Sequence, residues 1–133
     1  MGRINHLAVL VTVVLQQAIG FVWYHYGFGP AWMAGVGITA DRMQPTATVF
    51  VVAIVAAFLF SYTVAWLLRM TRSDSWFDGF KIGLVLAFAV AGGAIATHYG
   101  FLTIRPIVAA IDIGRELVGG AVTGFVLGIW RKR

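Results

Sequence analysis

Cysteine is absent from this chain, so disulfides, thiol nucleophiles and cysteine metal sites are excluded. Charge is scarce as well. Charged residues make up 11% of the 133, against about 25% in soluble domains. The signatures of common enzymes are also missing. There is no Ser-His-Asp order, no H-E-x-x-H, no P-loop and no dinucleotide fingerprint. "GVGITA" at 35–40 carries glycines but follows no strand, so it is not read as a phosphate cradle.

What is present is apolar. Hydrophobic residues reach 60% and the mean hydropathy is +0.87. That composition, with long uncharged runs, belongs to membrane proteins. The net charge of +5 raises the question of nucleic acid. No basic run is long enough for such a surface, and "RKR" at 131–133 abuts an apolar helix, as juxtamembrane basic residues do. The partner expected is the lipid bilayer, and no nucleic acid.

Four segments each have the roughly 20 residues needed to cross hydrocarbon as a helix. They run over 4–24, 46–68, 77–99 and 106–130, and they lack the alternation of strands. The fold class expected is an all-α integral membrane protein, a four-transmembrane-helix bundle forming one domain over 1–133. The first segment continues to full membrane length, and "FVWYHYGF" is a poor cleavage site, so it is read as a span and not a signal peptide. Arg3, Arg69, Arg72, Lys81, Arg131, Lys132 and Arg133 then share one side, with Arg42 and Arg105 on the other. The positive-inside rule places both termini in the cytoplasm. Trp23, Tyr24, Tyr26, Trp32, Tyr99 and Phe101 are read as an outer aromatic belt, and Trp66, Trp76 and Trp130 as an inner one. Glycines and Pro30 in the link 27–44 are expected to break the helix and leave an interfacial connector, with a short helix near 31–36.

The fourth segment holds most of the chemistry. At about 100° per residue, Arg105, Asp112, Glu116, Gly119 and Thr123 fall on one face, with Arg115 on its flank. Asp112 lies about 9 Å and Glu116 about 15 Å from the outer end at Pro106. A charge at the centre of a membrane helix costs about 2.5–3.5 kcal/mol on the insertion scale. The three ionisable groups are therefore expected to face inward and pair; Arg115 can meet Asp112 at i, i+3, and it can also approach neighbours on other helices. Two readings stay open for them: a proton- or cation-handling site, or an ion-pair cluster that fixes helix register. A second face carries Gly120, Gly124 and Gly128, a spacing that lets another helix approach closely, in the same bundle or in a second copy.

Other polar residues are fewer. Asn5, Thr12, Gln16 and Trp23 share one face of the first segment. Gln16 either lines a polar pathway or bonds across helices. Ser61, Tyr62 and Thr63 are weaker signals, because hydroxyls satisfy themselves on the preceding turn. His25 and His98 both sit at outer ends, but their spacing is no known metal-ligand pattern, and no metal is expected. Lys81 and Arg69 are expected to snorkel to the inner interface, and Asp74 and Asp78 to cap the third segment.

Three stretches carry a family resemblance: "INHLAVLV" at 4–11, "WYHYGFGPAWMAGVGIT" at 23–39 and "HYGFLTIRPIVAAIDIGRELVGG" at 98–120. Together they resemble the bacterial membrane-protein family catalogued as domain of unknown function 1761. The resemblance implies a small multi-span membrane protein with no established activity; the location expected is the bacterial inner (cytoplasmic) membrane, and no cofactor is expected. The glycine run and the missing catalytic signatures point to a non-enzymatic subunit that forms a homo-oligomer or joins a larger membrane complex. The alternative is a small proton- or cation-coupled transporter or channel using Asp112, Arg115 and Glu116, with Gln16 and His98 as further site candidates.

Overall fold

The computed structural model describes residues 3–130, and these form four long helices and short links. They are α1 (His6–Val36), α2 (Ala47–Met70), α3 (Trp76–Phe101) and α4 (Pro106–Ile129). A single 3-10 turn, Ala40–Arg42, interrupts the link between α1 and α2. The first three helices are long and apolar enough to cross a membrane. The outer surface matches that property. Four successive residues of α2, Val49 to Val52, are each more than half exposed. A chain surrounded by water would bury such a run.

α1 starts at an Asn5 cap, whose side-chain oxygen accepts from the Leu7 and Ala8 amides. The Asn5 amide donates to the carbonyl of Trp130 at 3.0 Å, so both ends of the described chain meet. At Trp23–Phe28 the helix opens into one wide π turn and then continues to Val36. The expected break at Pro30 does not occur. Proline has no amide hydrogen to offer, and it sits at the start of the segment after the wide turn, where that loss is tolerated. Gly29 makes the turn possible, because a Cβ there would collide with the Tyr24 carbonyl oxygen. The helix ends only at Gly37, in the left-handed conformation (φ 80°), whose amide bonds to Met33. The connector therefore shrinks to 37–46.

α3 contains a second wide turn, Ala87–Gly92. Its N-terminal cap is Ser75, which accepts from the Asp78 amide, while the Asp78 carboxylate takes the Ser75 hydroxyl at 2.9 Å. Ser75 thus takes the N-cap position, and Asp78 sits in the first turn, where an acid suits the helix dipole.

The closest packing lies between α3 and α4. A Cβ on Gly79 would strike the backbone of Gly124, and one on Gly83 would strike Gly120. Gly128 lies against the backbone of Ser75 and Trp76. The glycine run thus brings together two helices of the same chain. Ala8, Val9, Val64, Leu68 and Leu127 form the apolar core at the end where the termini meet.

Candidate functional site

The interior polar residues come from all four helices. Asp112 on α4 is buried, at 8% exposure. Its Oδ1 accepts from the Tyr24 hydroxyl at 2.5 Å. Its Oδ2 accepts from the Tyr99 hydroxyl at 2.7 Å and the Trp32 indole at 3.1 Å. Both oxygens are therefore held by neutral donors from α1 and α3. Beside them, the Trp23 indole donates to the Ile111 carbonyl at 3.0 Å and rests on Gly114. Hydrogen bonds to a charged group contribute about 1.5–3 kcal/mol each. Three of them outweigh the insertion cost of one carboxylate, about 2.5–3.5 kcal/mol.

This revises the outer aromatic belt. Tyr26 and Phe101 do face outward, at 74% and 86% exposure. Trp23, Tyr24, Trp32 and Tyr99 turn their polar atoms inward. The physical reason is the carboxylate, which needs donors that the helix backbone does not supply. The sequence held only a coarse signal: Tyr24 and Tyr99 stand at the outer ends of their segments, the end nearer to Asp112.

The expected Arg115–Asp112 pair does not form. Arg115 Nη1 meets Glu116 Oε1 at 2.6 Å, and Nη2 donates to the Gln16 carbonyl at 3.1 Å. Neighbouring residues on a helix point in different directions. The long arginine side chain bridges that divergence, and its guanidinium lies beside Gly20 of α1. The contact to α1 is one of the options open to Arg115, and a helix-face count does not say which neighbour on another helix it would reach.

Below this pair the path continues between α1 and α2. Gln16 Nε2 donates to Ser61 Oγ at 2.9 Å and reaches the Ala57 carbonyl at 3.5 Å. Thr12 Oγ1 donates to Val9 O at 2.7 Å and lies 3.0 Å from Ser61 Oγ. Ser61 is fully buried and serves both partners, whereas Thr63 bonds back to Leu59 on its own helix. Ser61 therefore does not satisfy itself on the preceding turn as expected. It joins two helices because it faces α1, while Thr63 faces outward.

Two further features mark this interior. The Thr123 hydroxyl is buried with no partner among the described residues. One turn away, Gly119 is buried, yet nothing stands within 4 Å of where its Cβ would be. Room and an unsatisfied hydroxyl therefore adjoin on the acid face of α4.

The histidines lie apart from this path. His25 stacks on Phe21 with centroids 5.0 Å apart, and His98 is exposed beside Tyr99. Of the residues singled out beforehand, the structure joins Gln16, Arg115 and Glu116, gives Asp112 its own cage, and leaves His98 outside both.

No curated protein and no solved structure matches the chain. A family model does. Its description is "Protein of unknown function (DUF1761)", it matches residues 7–128, and the chain belongs to that family.

Proposed function

We propose that the chain is a non-enzymatic, four-span protein of the bacterial cytoplasmic membrane, and that its interior binds and passes a proton or a small cation. The observation that carries this reading is the Asp112 cage. A buried carboxylate is held by three neutral donors, and no cation pairs with it among the described residues. The nearby arginine is engaged by Glu116 instead. Ionisable groups at such depth default to a functional hypothesis. The open space at Gly119 and the unpartnered Thr123 hydroxyl support a polar path through the middle.

α4 counts as the fourth span because its three ionisable groups turn inward. Asp112 is buried, and the side chains of Arg115 and Glu116 are 17% and 32% exposed. The orientation has support of its own. Asn5 bonds to Trp130, and Gly128 touches Ser75 and Trp76, so Arg3, Arg69, Arg72 and Lys81 belong to one end of the bundle. Arg131, Lys132 and Arg133, which complete the basic side, lie outside the described residues. Because the chain has no cysteine, Arg42→Cys and Arg72→Cys each introduce a unique label site. Membrane-impermeant labelling from outside is expected to modify position 42 and spare 72.

The transport reading is tested by flux in proteoliposomes. A pH gradient or a sodium or potassium gradient is expected to decay faster with the wild type than with Asp112→Asn. Equal decay for both, with both proteins folded, rejects it. The assembly reading, a homo-oligomer or an accessory subunit of a larger complex, loses its first motivation, since the glycine run is occupied within the chain. The apolar outer surface of α2 still supports it, and native mass spectrometry from gently extracted membranes tests it. A monomer without partners would set it aside.

A further inference from the structure

A lateral groove of about 510 Å³ opens between the C-terminal end of α2 and the first half of α3. Its floor is apolar, built from Leu67, Ile82, Val85 and Leu86. Its rim is polar and lies at one end, where Thr71, Ser73, Asp78 and Lys81 gather around the α2–α3 turn. We propose that this groove is a binding site for one anionic glycerophospholipid, with an acyl chain along the floor and the phosphate at the rim.

Three arguments select this occupant. The first is shape. The volume falls within the range of small-molecule sites, about 300–1,000 Å³, and the groove opens sideways to whatever surrounds the helices. For a chain with this outer surface, the surroundings are lipid. The second is polarity that changes along one axis, apolar below and hydroxyl-bearing above, as a lipid changes from tail to headgroup. The third is charge. Arg69, Arg72 and Lys81 are set against Asp74 and Asp78 in the turn and its flanks, leaving an excess of positive charge. Basic pockets between membrane helices on the cytoplasmic side bind anionic headgroups.

The rim also has an acid, and its role is specific. Lys81 Nζ lies 2.8 Å from Asp78 Oδ1 and 4.9 Å from the Phe77 ring centre. An ammonium has three hydrogens, so one carboxylate leaves donors for a phosphate. Asp78 occupies part of the lysine's hydrogen-bonding capacity and repels the incoming anion. Removing each charge should therefore move binding in opposite directions.

The site rests on the membrane reading and is independent of the cation reading. The test uses the full chain in a neutral detergent, titrated with phosphatidylglycerol or phosphatidylcholine and read by native mass spectrometry. In micelles both ends are accessible, so the result does not depend on orientation. Phosphatidylglycerol is expected to be retained at least five-fold more than phosphatidylcholine of the same chains. Lys81→Gln should reduce that preference several-fold, and Asp78→Asn should increase it. Ala89→Trp, which narrows the groove, should reduce retention of both lipids. Lys81 is more than half exposed, so Lys81→Gln is expected to keep its helical circular dichroism. Equal retention of the two lipids by the wild type overturns the proposal. So does a preference that Lys81→Gln leaves unchanged.

Discussion

α4 carries two faces about 100° apart, and they solve opposite problems. The face with Gly120, Gly124 and Gly128 has no room for a methyl group, because the α3 backbone fills it. The face with Asp112, Glu116, Gly119 and Thr123 is polar and has room to spare at Gly119. Adjacent glycines, 119 and 120, thus have contrary reasons for lacking a side chain. One permits contact with a helix. The other leaves a space beside a buried hydroxyl. A glycine in an apolar helix therefore says nothing until its neighbour is known.

The comparison breaks most severely at Gly124. Gly124→Leu should separate α3 from α4 and lower stability by about 3 kcal/mol or more, the upper part of the overpacking range. Unfolding in a denaturing detergent series measures it. Next is Asp112→Leu, which orphans the donors of Tyr24, Trp32 and Tyr99. A fully buried orphan costs about 1–3 kcal/mol; these three donors are only part-buried, so each falls at the low end and a total of about 3 kcal/mol is expected, with Asp112→Asn losing less than half of that. Arg115→Met leaves Glu116 charged and unpaired. A fully buried pair broken this way loses about 3–5 kcal/mol, and partial exposure of Glu116 reduces that to about 1–2. Adding Glu116→Leu should restore most of the loss, which a double-mutant cycle reads directly. The smallest effect sharpens the comparison instead of breaking it. Gly119→Ala is expected to keep or raise stability, by up to about 1 kcal/mol, since alanine favours helix and the methyl group has space. If the polar path conducts, the same variant should slow flux in proteoliposomes.

Much of the fold could be read from the sequence, because long apolar runs have one physical solution. The α2 segment needed only length and hydropathy, whereas α4 is a long helix that carries three ionisable groups and does not meet that criterion. The α1 segment did not yield so easily. Pro30 and the glycines around it look like a break, and a wide turn hides the continuation. The site divides in the same way. Asp112, Arg115 and Glu116 stand out as charges in an apolar helix. Their partners do not, since a helix-face count sees neighbours on one helix only. Tyr24, Trp32 and Tyr99 resembled interfacial anchors because an anchor and a buried donor have the same composition. Only the third dimension separates them.

The wide turn in α1 can also be seen as a phase shifter. Counted at about 100° per residue, Trp32 would lie about 160° from Gln16, nearly on the opposite face. A π turn absorbs about one extra residue, which brings the angle back to about 60°. A single rod thereby presents two differently phased stripes, one toward α2 and one toward Asp112. The phase is stored in a residue count, so it is sensitive to length and not only to chemistry. Deleting Gly27 should let the turn relax to an ordinary α-helix with Trp32 in the same phase, whereas inserting one more residue there should turn Trp32 away from the carboxylate while Gln16 stays in place.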